Sequence, residues 1–280
     1  MRLQCGRYQI DLDRPVVMGI LNVTPDSFSD GGRFASLPEA LARAQQMTEE
    51  GAAIIDIGGE STRPGAAEVP LEEELQRVIP VIERLASRLH VPLSIDTRKT
   101  GVMRAAIAAG ASMVNDVGAL GAPGALEAVA GSDAAVCLMH MRGEPRTMQQ
   151  APRYADVLSE VRGFLRERAE RCIAAGIGRG RIVVDPGFGF GKTLAHNLAL
   201  LRGLTQIAGD GLPVLAGLSR KRMIAELTGR DDGDRLGGSL ALATLAARNG
   251  ARIVRAHDVG ATVAALRIVA AAVADQESEG

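Results

Sequence analysis

Several apolar segments of the sequence end in polar or charged residues that could bind a ligand. A carboxylate or amide at the end of an apolar strand costs free energy if it is buried unpaired, so its repetition favours a shared binding site. Carboxylates accept pairs of N–H groups from planar ligands. The residues in this position are Asn22, Asp56, Asp96, Asn115, Asp116, His140, Asp185, Ser219, Lys221, Arg255 and His257.

Each of these residues, taken alone, also has an ordinary structural interpretation. Asp and Asn after a strand commonly form turns or cap the next helix, and we interpret Asp116 in this way. Two interpretations of His140 remain: a structural residue at the rim, or a catalyst. His90 and His196 are interpreted as solvated surface residues. For the rest, agreement among six or more strand ends favours a ligand site.

The stretch "DPGFGFGKT" (185–193) resembles a nucleotide-binding phosphate loop. That loop requires glycine five positions before its Gly-Lys-Thr, and position 186 is proline. Proline has no N–H to donate to a phosphate and a fixed φ, so the sequence excludes a phosphate loop. We interpret Lys192 and Thr193 as the start of the next helix.

Short β-branched segments alternate along the chain with longer helical ones, a pattern typical of repeated β-then-α units. The predicted strands are 16–21, 53–58, 92–96, 112–116, 134–140, 181–185, 213–217 and 252–257. The predicted helices are 37–51, 72–89, 99–109, 124–130, 155–175, 194–209, 221–228 with 239–249, and 261–274. Eight such units predict a single-domain (β/α)8 TIM barrel over 1–280, with a doubly wound open sheet as the alternative. A short N-terminal hairpin would cover the barrel floor, and 275–280 would be a frayed tail.

Composition excludes several classes of protein. The net charge of −1 and the lack of a basic block exclude a nucleic-acid-binding protein. No apolar run approaches the length of about 18 residues that a membrane span needs, and the N-terminus lacks the apolar region of a signal peptide. The three cysteines have no C-x-x-C spacing, which argues against zinc or disulfides and favours a reducing cytoplasm.

Two loops over the predicted barrel mouth favour a binding function. Residues 22–34 and 58–66 are rich in Gly, Ser and Pro, and loops of this length often close over ligands. The rim would hold carboxylates together with the basic residues Arg63, Arg220, Lys221, Arg255 and His257. Such a site suits a ligand with a polar ring at one end and phosphate at the other.

The sequence resembles the dihydropteroate synthase family over residues 16–267. The resemblance lies in "MGILNVTPDSFSDGG", "GAAIIDIGGESTRPGA", "SIDTRK", "NDVGAL", "CLMHMRGEPRTMQ", "VVDPGFGFGKT", "GLSRKRMI" and "RAHDV". It implies condensation of 6-hydroxymethyl-7,8-dihydropterin pyrophosphate with p-aminobenzoate, giving 7,8-dihydropteroate and pyrophosphate. It also implies a (β/α)8 barrel, Mg2+, a homodimer and inhibition by sulfonamides.

The resemblance and the chemistry of each side chain together assign roles. Asp185 would accept two N–H groups of the pterin, and Asp96 would face the far ring nitrogens and stabilise a cationic methylene. The pterin set is Asp56, Asp96, Asn115, Met139, Asp185 and Lys221. The pyrophosphate set is Asn22, Thr62, Arg63, Arg255 and His257, with Mg2+ at Asn22. The p-aminobenzoate set is Phe28, Thr62, Pro64, Phe190, Ser219 and Lys221. The expected catalytic residues are Asp96, Lys221 and Arg255.

Two other functions remain open at this point. A methyltetrahydrofolate-dependent methyltransferase would share the pterin-holding Asp and Asn, but it has no need for the "STRPG", "SRK" and "RAH" cations. A non-catalytic pterin-binding homologue should lack parts of the first two loops, which are intact here. The order of pyrophosphate loss and amine attack also stays open, although the family favours pyrophosphate loss first.

Overall fold

The computed structural model describes residues 1–24, 37–60, 68–144, 147–230 and 234–274. An antiparallel hairpin, β1 (Arg2–Cys5) and β2 (Tyr8–Asp11), comes first. The parallel strands that follow are β3 (Val16–Asn22), β4 (Ile54–Gly58), β5 (Leu93–Asp96), β6 (Met113–Asp116), β7 (Ala135–Met139), β8 (Ile182–Asp185), β9 (Val214–Gly217) and β10 (Ala251–Ala256). The helices are α1 (Leu37–Glu49), α2 (Leu71–Ala86), α3 (Thr100–Ala108), α4 (Ala125–Ala130), α5 (Val157–Ala174), α6 (Leu194–Arg202), α7 (Leu204–Ala208), α8 (Arg222–Thr228), α9 (Leu236–Arg248) and α10 (Val259–Ala274).

Strands β3 to β10 form a closed parallel barrel. Each strand pairs with the next along the chain, and β10 pairs with both β9 and β3. The predicted (β/α)8 barrel is therefore confirmed, and the alternative open sheet is wrong because its edge strands would not meet. The predicted helix 194–209 is divided into α6 and α7 at Gly203, where a Cβ would overlap the side chain of Leu158 on α5.

Burial on both faces explains why the strands read as continuous apolar runs. All residues of β4 and β7 are buried, as expected where helices cover the outside of a parallel sheet. The helices contribute one apolar face each; α2, for example, buries Val78, Val81, Ile82 and Leu85 at helical spacing. Truncating Ile82 to Ala would cost about 2 to 5 kcal/mol of folding free energy, because it leaves a cavity in this layer.

The hairpin covers the floor of the barrel, as predicted. Its buried residues form one apolar cluster with the lowest inward-facing layer of the barrel strands. The backbone N–H of Gly6 also donates to the carbonyl of Asp133, just before β7, at 2.9 Å. The hairpin contributes Leu3, Cys5, Ile10 and Leu12, and the barrel contributes Met18, Ile54, Met113, Ala135, Cys137, Val183, Leu215 and Ile253.

Within the described ranges, no helix has both the length and the apolar character needed to cross a bilayer. The predicted frayed tail at 275–280 lies outside these ranges.

Candidate active site

A polar layer lies directly above the apolar interior of the barrel. Side chains two positions apart on a strand face the same side, so an apolar floor residue is followed by an inward-facing residue one layer higher. In four strands that residue is polar, which builds a ligand site at the C-terminal mouth. The pairs are Ile54 with Asp56, Met113 with Asn115, Val183 with Asp185, and Ile253 with Arg255.

Arg255 bridges two carboxylates on the neighbouring strands β4 and β5. Its Nε donates to Asp56 Oδ2 at 2.6 Å, and its Nη2 donates to Asp96 Oδ2 at 2.7 Å. Asn115 Nδ2 donates to the same Asp56 oxygen at 3.0 Å. The guanidinium is a rigid planar fork, so these contacts fix the orientation of all four side chains before a ligand arrives.

The second oxygens of the two carboxylates are available to a ligand. Asp56 Oδ1 and Asp96 Oδ1 are buried and accept no hydrogen bond from any residue in the described ranges. A buried acceptor without a partner costs about 1 to 3 kcal/mol, and native proteins normally satisfy such groups. Two adjacent unsatisfied acceptors therefore indicate a ligand that carries N–H donors.

Burial and charge act in opposite directions on this cluster. Burial raises the pKa of Asp96 to about 7, although the charge of Arg255 opposes the shift. Burial alone would lower the pKa of Arg255, but the carboxylates of Asp56 and Asp96 outweigh it and hold that pKa above its ordinary value. The guanidinium thus stays charged, whereas Asp96 can take up a proton near neutral pH.

Asp185 and Lys221 face a common space across the barrel from this network. A Cβ at Gly217 would lie 4.0 Å from both Asp185 Oδ2 and Lys221 Nζ, so the missing side chain leaves room between the two groups. Asp185 Oδ1 accepts from the backbone N–H of Gly187 at 2.7 Å. Burial raises the pKa of Asp185 and lowers that of Lys221 to about 8, and the charge of each opposes the shift of the other.

The glycine-rich turn after β8 carries two phenylalanines with different environments. The Phe188 side chain is fully buried, and its carbonyl accepts from Lys221 Nζ. Phe190 is half-buried, and its ring centroid lies 4.8 Å from Lys221 Nζ, within range of a cation–π contact. The structure thus brings the predicted substrate contact Phe190 together with Lys221.

The outer rim carries a hydroxyl–imidazole pair. Ser219 Oγ lies 3.0 Å from His257 Nδ1 and accepts from the His257 backbone N–H at 3.2 Å. Arg220, which the sequence assigned to the cationic rim, donates to both oxygens of Asp258. Its charge is therefore largely neutralised at this side of the mouth.

Asn22 ends β3 beside the carboxylate network. Its Oδ1 would lie 3.8 Å from a Cβ at Gly58, and Asp96 Oδ2 would lie 3.9 Å from the same point. Met139 is buried on β7 and is in register with Asp185 on β8. Phe28, Thr62, Arg63 and Pro64 lie outside the described residues, so their roles stay predictions.

Asp116, Thr193 and His196 all form hydrogen bonds that stabilise local backbone structure. Asp116 is a turn former as expected, since its carboxylate accepts from the backbone N–H groups of Gly118 and Leu120 at 2.7 Å each. His196 is not simply a solvated residue: it completes a capping box with Thr193 at the start of α6. Thr193 therefore begins the helix, as predicted.

The interpretation of Lys192 as only a helix start is wrong. Lys192 is 3% exposed, and its ammonium group lies among backbone carbonyls of the glycine-rich turn and beside His140. Burial lowers the pKa of His140 to about 3, with the charge of Lys192 as the next cause, so His140 is neutral. His140 is thus a structural partner of Lys192, which resolves the alternative that the sequence left open.

Comparison with known proteins places the chain in a family. The family described as "Pterin binding enzyme" matches residues 18–257. This chain, a closed (β/α)8 barrel with buried carboxylates at its mouth, therefore belongs to the pterin-binding enzymes.

The relatives narrow this class. The dihydropteroate synthase of Escherichia coli (strain K12) is 52% identical over 279 residues, which cover 100% of this chain and 99% of the relative. A crystal structure of the Yersinia pestis enzyme with a sulfonamide drug complex has a TM-score of 0.93 and 51% identity, covering 98% of this chain and 100% of that one. The Xanthomonas albilineans enzyme in complex with 7,8-dihydropteroate has a TM-score of 0.89 and 53% identity, covering 98% and 99%. The chain belongs to the dihydropteroate synthase family.

Proposed function

We propose that the barrel mouth joins a dihydropterin pyrophosphate to p-aminobenzoate, forming 7,8-dihydropteroate and releasing pyrophosphate. The observation that carries this proposal is the pair of unsatisfied buried oxygens, Asp56 Oδ1 and Asp96 Oδ1, opposite the Asp185–Lys221 pair. A pterin ring presents N–H donors on two edges and a carbonyl on one, which matches acceptors on both sides and one ammonium donor. Family membership over the whole chain supports the same reaction.

The pterin lies between the two carboxylate groups in this proposal. Asp185 Oδ2 accepts from the amino-pyrimidinone edge, and Lys221 donates to the ring carbonyl beside it. Asn115 reaches the pyrimidine end, and Asp96 accepts from the nitrogens of the second ring. Met139, buried next to Asp185, supplies an apolar wall.

The arrangement of charge favours pyrophosphate departure before the amine attacks. When the C–O bond to pyrophosphate breaks, the pterin methylene becomes cationic, and a preorganised negative field lowers the energy of that state. Asp56 and Asp96 supply this field from the floor of the site. Arg255 holds both carboxylates in place, and its charge opposes the rise in the pKa of Asp96 and so favours the ionised form.

The leaving group requires positive charge at the rim. The remaining N–H groups of the Arg255 guanidinium and the ring of His257 lie on the described side of the mouth, and Thr62 and Arg63 would add to them. A Mg2+ ion fits here, because it needs few protein ligands beside water and phosphate, and Asn22 Oδ1 offers a hard oxygen near Asp96. When bound, Mg2+ would neutralise charge that develops on the pyrophosphate.

The second substrate binds above the pterin in this proposal. Phe190 packs against the aromatic ring of p-aminobenzoate, with Phe28 and Pro64 as further walls. Lys221 and Ser219 attract its carboxylate, and Thr62 lies nearby. Sulfonamides present a similar ring and polar group, and the Yersinia pestis relative is known with a sulfonamide drug complex.

We also propose that the enzyme is a homodimer that works in the cytoplasm. Leu245 on α9 and Ile268 on α10 are 48% and 71% exposed, and the two helices pack side by side. Large apolar side chains exposed on neighbouring helices favour an interface. Light scattering should give the mass of two chains, and Ile268→Glu should shift it toward one; a single-chain mass for the wild type would contradict the dimer.

The first experiment is an incubation of the purified protein with dihydropterin pyrophosphate, p-aminobenzoate and Mg2+. Pyrophosphate release and dihydropteroate mass should both depend on both substrates, and omission of Mg2+ should reduce them. Pterin binding without any dihydropteroate would instead support a non-catalytic homologue. Methyl transfer from methyltetrahydrofolate would support the methyltransferase alternative.

A further inference from the structure

Lysine is rare in this chain. The sequence has 32 basic residues apart from histidine, of which only Lys99, Lys192 and Lys221 are lysine. Lys99 binds Glu60 and Glu74. The other two both contact the glycine-rich turn after β8, which we define as residues 186–191. Two of the three lysines of the chain therefore contact this one turn.

The Lys192 ammonium group lies at the centre of this turn. Nζ donates to the carbonyl oxygens of Gly187 at 2.9 Å, Phe190 at 3.0 Å and His140 at 3.2 Å, and it lies 3.0 Å from His140 Nδ1. Its ammonium form has three N–H donors for four acceptor atoms, so at least one donor is shared. Burial lowers the pKa of Lys192 to about 7, and the charge of Asp185 opposes this shift and favours the ammonium form. The neutral His140 ring accepts through Nδ1, so its proton resides on Nε2.

The turn lies very close to the segment after β7. Gly187 and Gly191 have left-handed backbone angles, with φ of +68° and +64°. A Cβ at either position would overlap a carbonyl oxygen, that of His140 or that of Arg142. The turn is therefore packed against the segment after β7, with the carbonyls of Gly187 and Phe190 directed at Lys192, whose N–H groups satisfy these acceptors.

The outer side of the same turn makes three contacts with two groups of the proposed site, Asp185 and Lys221. The Gly187 N–H donates to Asp185, the Phe188 carbonyl accepts from Lys221, and the Phe190 ring packs on Lys221. The charge of Lys192 also opposes the rise in the pKa of Asp185. Displacement of the turn would therefore move the groups that hold both substrates.

We propose that Lys192 is a positioning residue, whose buried ammonium group holds the 186–191 turn so that Lys221 and Phe190 meet p-aminobenzoate. Lys192 acts through the turn, because it is buried and its Nζ donates to the carbonyls of Gly187, Phe190 and His140. The proposal rests on the proposed synthase reaction for its kinetic readout. Its structural part, that Lys192 orders the turn, does not depend on that reaction.

The test replaces Lys192 by Met, which keeps the length of the side chain and removes the three donors. The Michaelis constant for p-aminobenzoate should rise about tenfold or more, because a shift of about 1 Å at a binding group can cost up to about 100-fold. Lys192→Arg keeps the charge but has a planar fork, and it should show a smaller rise. This partial rescue distinguishes lost positioning from general damage.

Arg181→Met is the matched control. Arg181 also donates to backbone carbonyls, those of Ala134 and Val129, but it lies just before β8, at the opposite end of the barrel. The Arg181→Met variant should have a lower melting temperature than wild type. Its Michaelis constant for p-aminobenzoate should stay within about twofold of wild type, because Arg181 lies far from the turn. If Lys192→Met behaves like this control, the proposal is wrong.

A second measurement follows the turn without catalysis. The chain has no tryptophan, so the indole introduced by Phe190→Trp would report only on this turn. Adding Lys192→Met, or Lys192→Arg if the first does not fold, should increase acrylamide quenching of that indole. Unchanged quenching would overturn the proposal that Lys192 orders the turn. Failure of the wild-type protein to form dihydropteroate would instead overturn only the proposed synthase reaction.

Discussion

Replacement of Arg255 by Met is expected to destabilise the protein in a pH-dependent way. The change removes hydrogen bonds of 2.6 and 2.7 Å and leaves Asp56 fully buried and Asp96 10% exposed, with no cation between them. Loss of one partner from a buried ion pair costs about 3 to 5 kcal/mol of folding free energy. We expect a loss in this range at pH 8.5.

The loss should be smaller in mild acid. Arg255 is the main group that opposes the raised pKa of Asp96, so its removal moves that pKa further above 7. A group with a raised folded pKa stabilises the protein at low pH, and this contribution is lost as pH rises through the folded pKa. In wild type, the stability that protonated Asp96 contributes is lost by about pH 7. In the variant, the free energy of unfolding continues to fall above pH 7, by up to about 1.4 kcal/mol per pH unit. The variant should therefore be about 2 kcal/mol less impaired at pH 6 than at pH 8.5.

The assay is urea unfolding followed by circular dichroism at both pH values. Asp96→Asn is the matched partner variant, because an amide keeps the shape of the carboxylate and does not titrate. The double variant Asp96→Asn, Arg255→Met should be more stable than Arg255→Met alone at pH 8.5, because only Asp56 then remains as a buried carboxylate without its cation. A loss for Arg255→Met that is equal at both pH values would refute the reasoning.

Three further predictions concern neighbouring groups. Asp185→Asn should weaken binding of a pterin ligand about 100-fold in calorimetry, because two charge-assisted hydrogen bonds are lost; unchanged affinity would exclude Asp185 from the pterin site. Gly217→Ala should weaken pterin binding but change the melting temperature little, since its Cβ meets neighbours at 3.9 to 4.0 Å; a large drop in melting temperature would contradict this. His140 has a folded pKa of about 3, so wild type should lose up to about 1.4 kcal/mol of stability per pH unit below 6.5. His140→Gln keeps an acceptor for Lys192 and should lose less in urea unfolding; equal losses would argue against a neutral His140.

The fold was predictable because each strand carries a strong local signal. Segments such as 53–58 are apolar, β-branched and bounded by glycine or polar residues, and the structure has β4 at Ile54–Gly58. Polar residues at the strand ends also indicated the mouth of the barrel. Helix breaks were less predictable, because Gly203 interrupts 194–209 through its contact with Leu158, which belongs to another helix.

The pairing of charges within the site could not be predicted. The sequence assigned Arg255 to pyrophosphate, but the structure shows its contacts to Asp56 and Asp96, which are 199 and 159 residues away along the chain. Such partners depend on the closure of the barrel. Lys192 was missed because a lysine before a helix usually lies in solvent; its one available signal was the scarcity of lysine in the sequence.

The hairpin that closes the barrel floor has a kinetic consequence for two substrates. With the floor sealed by Leu3, Ile10 and Leu12, molecules enter and leave through the mouth. In the proposed site the pterin would bind against Asp185, one layer above the floor, whereas p-aminobenzoate would bind at the rim. Binding should therefore follow a compulsory order with the pterin first, and excess p-aminobenzoate should slow turnover by blocking an empty barrel.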